Sequence, residues 1–352
     1  MNTYLKTMGN RKESLREDLI KRDIDLLLVY SNSEDFGLDL ALNNLKPILF
    51  HYYFIDKNGK EGFLEIDYLV DDLKKHFEGE VIAFDESSPK DKIYALLQKY
   101  NRVAIAGNAP WYHLINLNKE LVDFNQEINE VLKKKEISEI KKIAKIAKIT
   151  NQILKKAEKN IKTGVTQKKI EILLKEEFLK VADKLAFPIC ITSGEDLKNT
   201  TATLPSDKKI LKKDIVCIDA GIVKDGFYSD CTRMFFVNNP LAKKDYQRLL
   251  SAHFNAIKKI KEGVSLGELV NIYKQELDVQ GLPLETLETR DLGHSIGFRL
   301  HEEPIFFKQG QNENLKENMV ITLEPEITVN GYKLRVEDMI SIKETKSDIL
   351  TK

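Results

Sequence analysis

Apolar and polar positions in the first third of the chain switch between two spacings, one typical of helices and the other of strands. Residues 11–22 and 68–77 are predicted helices, and Pro89 can start another. Interspersed helices and strands indicate an α/β domain over residues 1–130. The predicted strands are the apolar runs at 24–30, 49–55, 62–66, 81–84 and 103–106.

Beyond this domain the pattern changes to long helices and hairpins. Apolar residues recur at helical spacing over 137–154, and Thr166 can cap a second helix that runs to about residue 185. Ser265 and Glu268 form a capping-box pattern for a third helix. Helices combined with antiparallel hairpins predict an α+β domain over residues 134–352. Its strand-like segments cluster at 214–237 and 318–343.

Length and charge limit the possible classes of protein. The 352 residues are more than one ordinary domain needs and suggest two. Lys+Arg and Asp+Glu both number 55, so the formal net charge is zero. This balance argues against nucleic acid or an anionic membrane as a partner. No stretch of the sequence is apolar for long enough to span a bilayer.

The cysteines and the N-terminal residues indicate the cellular compartment in which the protein is expected. Cys190, Cys217 and Cys231 are few and odd in number and include no CxxC pair, which fits a reducing compartment rather than a disulfide framework. The first residues lack the apolar run of a signal peptide. The expected location is therefore the cytoplasm.

The predicted α/β domain has no phosphate-binding loop and no cluster of residues with catalytic chemistry. Its histidines, His51, His76 and His113, are scattered along the sequence. We expect each of them to be a surface or packing residue. The candidate chemistry therefore lies in the second domain.

Residues 214–237 contain two apolar runs that flank Asp225-Gly226, a strong signal for a two-residue hairpin turn. With that turn, partners across the hairpin have numbers that add to 451, as 225 and 226 do, so Asp219 lies opposite Thr232. Because side chains alternate along a strand, Asp230 shares their face. Aspartate is disfavoured in strands, so this placement needs another reason.

Residues 319–342 form a second predicted hairpin around Asn330-Gly331, a favoured type I′ turn. Partner numbers then add to 661, and Glu324 lies directly opposite Glu337. Like charges that face each other across a strand pair destabilise it by roughly 0.2–1 kcal/mol. A cation between the two carboxylates reverses that sign.

The alternative is that both glutamates lie on a solvated face by chance. The surrounding residues argue against it, because they make the hairpin largely apolar and predict that it is buried. Two buried hairpins that each present two carboxylates favour a metal site. The apolar residues are Val320, Leu323, Ile327, Val336 and Met339.

A histidine completes the candidate set. His294 lies in the segment GHSIGFRLHEEP, between Gly293 and Gly297, which suit close backbone approach and tight turns. A lone histidine is more often structural, but His301 follows in the same segment together with two glutamates.

These segments together resemble the pita-bread metallopeptidases, the family of methionine aminopeptidase, aminopeptidase P and prolidase. That family has two aspartates eleven residues apart on one hairpin, as Asp219 and Asp230 are here. It also has GHxIG, TxEP and RxED segments, which here are Gly293-His294-Ser295-Ile296-Gly297, Thr322-Leu323-Glu324-Pro325 and Arg335-Val336-Glu337-Asp338. The resemblance covers residues 134–342, and the preceding domain is similar in layout to the N-terminal domain of prolidase and aminopeptidase P.

The resemblance implies a pita-bread catalytic domain, preceded by a smaller creatinase-like α/β domain, that binds two divalent metal ions. Manganese or cobalt is the implied metal, and four carboxylates with one imidazole suit such ions better than thiolates would. The implied ligands are Asp219, Asp230, His294, Glu324 and Glu337.

The resemblance also implies roles around the ligands. Glu324 would shuttle a proton besides binding metal, and His301 would hydrogen-bond the substrate or the tetrahedral intermediate. Thr232, Thr322 and Arg335 would contact substrate or orient the ligands. A homodimer is implied in the same way.

The chain departs from the family pattern at two places. The family has a substrate-contacting histidine shortly after an SG pair, but the residues after Ser193-Gly194 contain none, and its place falls at Thr201, Ala202 or Thr203. The family also has Gly after TxEP, where this chain has Glu326. The register above predicts a cross-strand ion pair between Glu326 and Arg335, against the alternative that Pro325 kinks the strand and turns Glu326 to solvent.

The predicted register of the first hairpin also places the side chains of two cysteines on particular faces of their strands. Cys217 lies two residues before Asp219 and should share its face as a core residue rather than a ligand. Cys231 should point the other way.

Three functions fit the sequence. The leading one is an exopeptidase that cleaves short peptides at Xaa-Pro bonds, either a dipeptidase or an aminopeptidase. The second is a catalytically weak or inactive binding module, because the upstream histidine is missing. The third is C–N cleavage of a small amidine, which the retained ligands disfavour because creatinase works without metals.

Overall fold

The computed structural model describes residues 2–33, 37–45, 49–115, 117, 119–287, 292–305 and 307–352. By its internal contacts the chain divides into two units, Met1–Leu132 and Lys133–Lys352.

The first unit contains a six-stranded mixed sheet in the order β4-β3-β2-β1-β5-β6. The β1–β2 and β2–β3 pairs are antiparallel, whereas the β1–β5, β3–β4 and β5–β6 pairs are parallel. The strands are β1 (Leu26–Asn32), β2 (Phe50–Asp56), β3 (Glu61–Ile66), β4 (Glu80–Phe84), β5 (Val103–Ala106) and β6 (Leu121–Asp123). The helices are α1 (Asn2–Lys21), α2 (Gly37–Asn43), α3 (Val70–Leu73), α4 (Lys90–Leu97), α5 (Trp111–Leu114) and α6 (Asn125–Lys133).

The apolar runs predicted all five of the longer strands to within two residues of their bounds. The helix predicted over 68–77 is shorter, because a 3₁₀ turn at Asp67–Leu69 precedes the single helical turn of α3. Strand β6 was not predicted, since its three residues are too few to show a period.

The histidines of this unit follow the expectation of packing or surface roles. His76 is exposed, and His113 is buried with its Nδ1 at 2.6 Å from the Tyr52 hydroxyl. His51 is buried between two carboxylates, with Nε2 at 2.7 Å from Asp39 and Nδ1 at 2.9 Å from Glu65.

Over the part of the second unit that the structure describes, four α-helices pack with several short sheets. The sheet orders are β11-β10-β7, β12-β9-β8, β14-β13-β15-β18-β19 and β16-β17. The helices are α7 (Ile137–Ala157), α8 (Gln167–Leu179), α9 (Pro240–Lys259) and α10 (Leu266–Val279). The strands are β7 (Lys184–Leu185), β8 (Cys190–Ser193), β9 (Ile215–Asp219), β10 (Ile222–Lys224), β11 (Phe227–Tyr228), β12 (Thr232–Phe236), β13 (His294–Ser295), β14 (Glu302–Ile305), β15 (Val320–Leu323), β16 (Glu326–Val329), β17 (Tyr332–Arg335), β18 (Asp338–Ser341) and β19 (Asp348–Ile349).

Both predicted caps are present. The Thr166 side chain accepts a hydrogen bond from the backbone N–H of Lys169, and the Ser265 side chain accepts one from Glu268. The helix that Thr166 caps ends at Leu179, so the predicted end near residue 185 was wrong. Residues 184 and 185 instead form β7 and pair with β10, because strand pairing satisfies their backbone groups in place of helical bonds.

The predicted hairpin registers are confirmed. Asp225, Gly226, Asn330 and Gly331 all have positive φ, as the type I′ turn requires. The pairing of β9 with β12 places Asp219 opposite Thr232. The second hairpin keeps one register in two separate ladders, β15 with β18 and β16 with β17.

Candidate metal centre

All five predicted ligands lie where a strand ends or is interrupted. Asp219 is the last residue of β9, Asp230 lies between β11 and β12, and His294 begins β13. Glu324 follows β15 and Glu337 precedes β18, in the gap between the two ladders of the second hairpin. Their side chains are therefore at the points where the backbone leaves its regular pairing.

In this gap, the backbone N–H groups of the two glutamates donate to neighbouring segments instead of to the opposite strand of their own hairpin. The backbone N–H of Glu324 donates to the carbonyl of Leu292 at 2.9 Å, and that of Glu337 donates to the carbonyl of Thr232 at 3.3 Å. These bonds tie the second hairpin to the histidine segment and to the first hairpin. The three segments that carry the predicted ligands thereby meet.

The structure brings the five side chains together. Asp230, His294 and Glu337 each offer a ligand atom within 4.8 Å of the others. Nε2 of His294 is 3.8 Å from Oδ2 of Asp230 and 3.8 Å from Oε1 of Glu324. Asp219 interacts with Asp230 directly. Three of the five predicted residues thus form a group that could hold a metal ion, and the other two lie beside it.

Burial makes ionisation of the carboxyl groups in this cluster unfavourable. Burial raises the pKa of Asp219, and it raises those of Asp230 and Glu337 well above their usual range, with neighbouring carboxylates adding to the effect for both. Oδ1 of Asp219 and Oδ1 of Asp230 are buried without a hydrogen-bond partner. Buried acceptors are normally satisfied, so these two oxygens fit a bound cation.

His294 is oriented as metal-binding histidines are. Its Nδ1 donates to the backbone carbonyl of Ser295 at 3.0 Å, which leaves the lone pair of Nε2 facing Asp230 and Glu324. Burial lowers the pKa of His294 to about 4. The imidazole is therefore neutral at pH 7, the form that binds metals.

Two threonines and a glycine support the ligands. The Thr232 hydroxyl donates to Oε2 of Glu337 at 2.8 Å. The Thr322 hydroxyl accepts the backbone N–H of His294 at 3.2 Å. A Cβ on Gly293 would lie 2.2 Å from the Thr322 carbonyl oxygen, so the close approach predicted for this glycine is real.

Arg335 and Glu326 form the predicted cross-strand ion pair. They are direct partners in the β16–β17 ladder, and Nη2 of Arg335 is 3.0 Å from Oε2 of Glu326. Burial opposes ionisation of Glu326, but Arg335, Lys333 and the Thr201 hydroxyl together outweigh it and lower the pKa of that carboxyl. Nη1 of the same guanidinium is 3.5 Å from Oε2 of Glu324 and 3.8 Å from Oδ2 of Asp219.

His301 lies beside the five residues. Its ring centroid is 4.4 Å from that of His294, and its side chain is exposed. Partial desolvation lowers the pKa of His301. An exposed imidazole next to the cluster can reach a molecule that binds there.

The cysteines lie as the register predicted. Cys217 is a fully buried core residue. Cys231 is also buried, and its thiol is 3.7 Å from the backbone carbonyl oxygen of Glu337 rather than from a ligand side chain. Burial raises the pKa of both thiols well above the usual range.

Residues 201–203, among which sequence analysis left the place of the missing histidine open, differ in their surroundings. Thr201 is buried, whereas Ala202 is exposed and Thr203 bonds to Thr192 in the adjacent strand. The Thr201 hydroxyl donates to Oε2 of Glu326. Thr201, one of the three candidate places for that histidine, is therefore in direct contact with Glu326, the residue that replaces the family's glycine.

Two buried ion pairs near the site were not predicted. Lys135 pairs with Glu302, and Arg233 pairs with Asp338 at 2.6 Å. A signal for the second was present, because alternation places Asp338 on the opposite face of the hairpin from Glu337, where an apolar residue would be expected. Nothing local in the sequence marks Lys135.

Comparison with known proteins gives concordant results. Residues 141–344 match the model of metallopeptidase family M24. The chain is 28% identical over 361 residues to an Xaa-Pro dipeptidase of Pyrococcus horikoshii, covering 98% of this chain and 97% of that protein. The crystal structure of the prolidase from Pyrococcus horikoshii OT3 matches with a TM-score of 0.86 and 26% identity, covering 97% of this chain and 98% of that chain.

A further structural match is to a protein of a different kind. The N-terminal domain of FACT complex subunit SPT16 from Cicer arietinum (chickpea) has a TM-score of 0.80 at 17% identity, covering 99% of this chain and 95% of that chain. At this identity the match shows the fold alone.

These matches confirm the predicted fold class, an α+β pita-bread domain preceded by a smaller α/β domain. Across the described residues, every helix is too short or too polar to cross a bilayer.

Proposed function

This chain belongs to metallopeptidase family M24, and we propose that it is an exopeptidase that cleaves Xaa-Pro bonds in short peptides with two divalent metal ions. The observation that supports this proposal most is the convergence of Asp219, Asp230, His294, Glu324 and Glu337, with two buried carboxylate oxygens that lack partners. The similarity to an Xaa-Pro dipeptidase over nearly the whole chain supports the substrate class.

The proposed ligands are these five residues, and manganese or cobalt is the proposed metal because carboxylates dominate the set. Two bound divalent ions would lower the pKa of the attacking water and polarise the scissile carbonyl. Thr232 keeps one oxygen of Glu337 in place through its hydroxyl, and Ser295 fixes the tautomer of His294 through its carbonyl. The protein thereby holds the donor atoms ready before substrate arrives.

The remaining roles belong to groups at the edge of the cluster. Glu324 is the proposed proton shuttle, taking a proton from the attacking water and delivering it to the leaving amine. His301 is proposed to hydrogen-bond the substrate, since it is exposed and adjacent to His294. Arg335 balances the charge of Glu324 and Asp219 through its Nη1, which is 3.5 and 3.8 Å from their carboxylate oxygens.

We further propose that residues 134–352 form the catalytic domain, that residues 1–130 form a creatinase-like domain, and that the protein is a cytoplasmic homodimer. The three cysteines, all free, are consistent with a reducing compartment.

The test is a peptide panel on protein stripped of metal with a chelator and then loaded with Mn²⁺ or Co²⁺. We expect turnover of Xaa-Pro dipeptides, little turnover of Xaa-Ala dipeptides, and loss of activity in Asp219→Ala. Asp225→Asn is the matched control, because Asp225 is an exposed aspartate at the turn of the same hairpin. A tripeptide series with proline second would separate a dipeptidase from an aminopeptidase.

A binding module is the second candidate. It is favoured by one observation: residues 201–203, where the substrate-contacting histidine is expected, contain no histidine, and the Thr201 hydroxyl is already bonded to Glu326. Tight binding of the metal without turnover of any peptide would establish this candidate over the enzyme.

A further inference from the structure

Arg335 lies between two sets of carboxylates. On one side, its Nε and Nη2 are 3.1 and 3.0 Å from the same oxygen of Glu326, which are hydrogen-bond distances. On the other side, Nη1 is 3.5 Å from Glu324 and 3.8 Å from Asp219, which is longer than a charge-assisted bond. The guanidinium is therefore hydrogen-bonded to Glu326, whereas its distances to the proposed ligands Glu324 and Asp219 are longer.

Glu326 is itself held from two other directions. Its Oε1 accepts from Lys333 at 2.6 Å, and its Oε2 also accepts the Thr201 hydroxyl. The side chain is buried, with 7% of its surface exposed. Partners on β17 and on the loop after β8 thus fix the carboxylate that Arg335 binds.

An arginine and a divalent cation compete for the same carboxylate lone pairs. A guanidinium forms short, paired bonds to carboxylates whenever its fork is free to align. If Arg335 were free to move toward Glu324 and Asp219, it would occupy the oxygens that a metal needs. Glu326 binds two of its three nitrogens and so prevents that alignment.

We propose that Glu326 is a positioning residue for the metal centre, which holds the Arg335 guanidinium back from Glu324 and Asp219 so that their oxygens remain available to divalent cations. This inference rests on the ligand set of the proposed function and does not depend on which peptide is cleaved. Thr201 contributes by anchoring the Glu326 carboxylate.

The experiment measures Mn²⁺ binding to the metal-free full chain by calorimetry, without peptide. We expect Glu326→Gln, which keeps the shape but removes the charge, to weaken Mn²⁺ affinity about 10- to 100-fold. The matched control is Glu195→Gln, since exposed Glu195 bonds to Tyr332 of the same β16–β17 hairpin but not to Arg335. The control should bind Mn²⁺ like the native chain.

A double-mutant cycle separates this role from a merely stabilising one. In an Arg335→Met background, adding Glu326→Gln should change affinity by less than about twofold, because Glu326 acts through Arg335. If Glu326→Gln fails to fold, Thr201→Val provides the test, because valine has nearly the same size as threonine but lacks the hydroxyl. The loss of Mn²⁺ affinity expected for Thr201→Val is smaller than that for Glu326→Gln.

Two outcomes would overturn the inference. One is unchanged Mn²⁺ affinity in the folded Glu326→Gln and Thr201→Val chains. The other is an equal loss of affinity with and without Arg335. A native chain that does not bind Mn²⁺ at all would instead refute the proposed function, so the two failures are distinguishable.

Discussion

Lys135 forms an ion pair with Glu302, the residue that follows His301, and both side chains are buried. The other oxygen of Glu302 accepts the backbone N–H groups of Phe298 and Arg299 at 2.7 and 3.1 Å. A side chain from the segment just before α7 therefore binds the carboxylate that also bonds to the backbone of the turn next to the exposed imidazole.

Replacing Lys135 with Met should destabilise the protein by roughly 3–5 kcal/mol, because it leaves the Glu302 charge buried without its partner. Urea unfolding of the metal-free chain measures the loss. Exposed Lys134 gives the matched control, and Lys134→Met should change stability by no more than about 0.5 kcal/mol. Equal stability of the two variants would show that the buried pair contributes nothing.

Removing a proposed ligand should have opposite effects with and without metal. Asp230 is buried with one unpartnered oxygen, so Asp230→Asn should stabilise the metal-free protein at neutral pH by about 1–3 kcal/mol. It should also abolish the stabilisation that Mn²⁺ gives the native chain, about 2.7 kcal/mol at a concentration one hundred times the Kd. Melting temperatures with and without Mn²⁺ measure both effects. A variant that is less stable than the native chain without metal would contradict this account.

The stability of the first unit should fall at alkaline pH. Burial alone would lower the pKa of His51, but Asp39 and Glu65 outweigh it and raise the pKa to about 9. Because the folded pKa lies above the unfolded value of 6.5, the stabilisation, about 3 kcal/mol, is fully present below pH 6.5 and is lost as the pH rises through about 9.

Histidine ring resonances of labelled protein, followed from pH 6 to 10, test this directly. The resonance that disappears in His51→Gln should titrate near pH 9, and the variant should lose less stability than the native chain over that range. Titration of this ring below pH 7 would refute the charged arrangement.

Asp338 should be essential for stability although it faces away from the proposed metals. Its carboxylate is 2.6 Å from Arg233 and 3.1 Å from His253, and Arg233 also donates to the backbone carbonyls of Thr232 and Glu337. Asp338→Asn leaves a buried arginine without its counter-charge and should cost roughly 3–5 kcal/mol in urea unfolding. Asp348→Asn is the control, since Asp348 is exposed on β19 of the same sheet. A loss no larger than that of the control would exclude this role.

Much of the centre follows from local sequence. Asp225-Gly226 and Asn330-Gly331 are strong turn signals, and a two-residue turn sets every pair along its hairpin, because side chains alternate with a fixed period. That is why the pairing of Asp219 with Thr232 and of Glu326 with Arg335 could be predicted from residue numbers alone. The end of α8 could not, since the choice between another helical turn and strand β7 depends on a partner strand far along the chain.

Contacts between distant segments were decided only by the tertiary structure. Thr201 meets Glu326 across 125 positions and Lys135 meets Glu302 across 167, and no periodicity links such residues. The sequence by itself determined the residue types and the register of each hairpin, because these depend on neighbours in the chain. Packing of the hairpins, the histidine segment and the loop after β8 decided which charges are buried together. Those energies depend on distance and on exclusion of water, which separation along the chain does not encode.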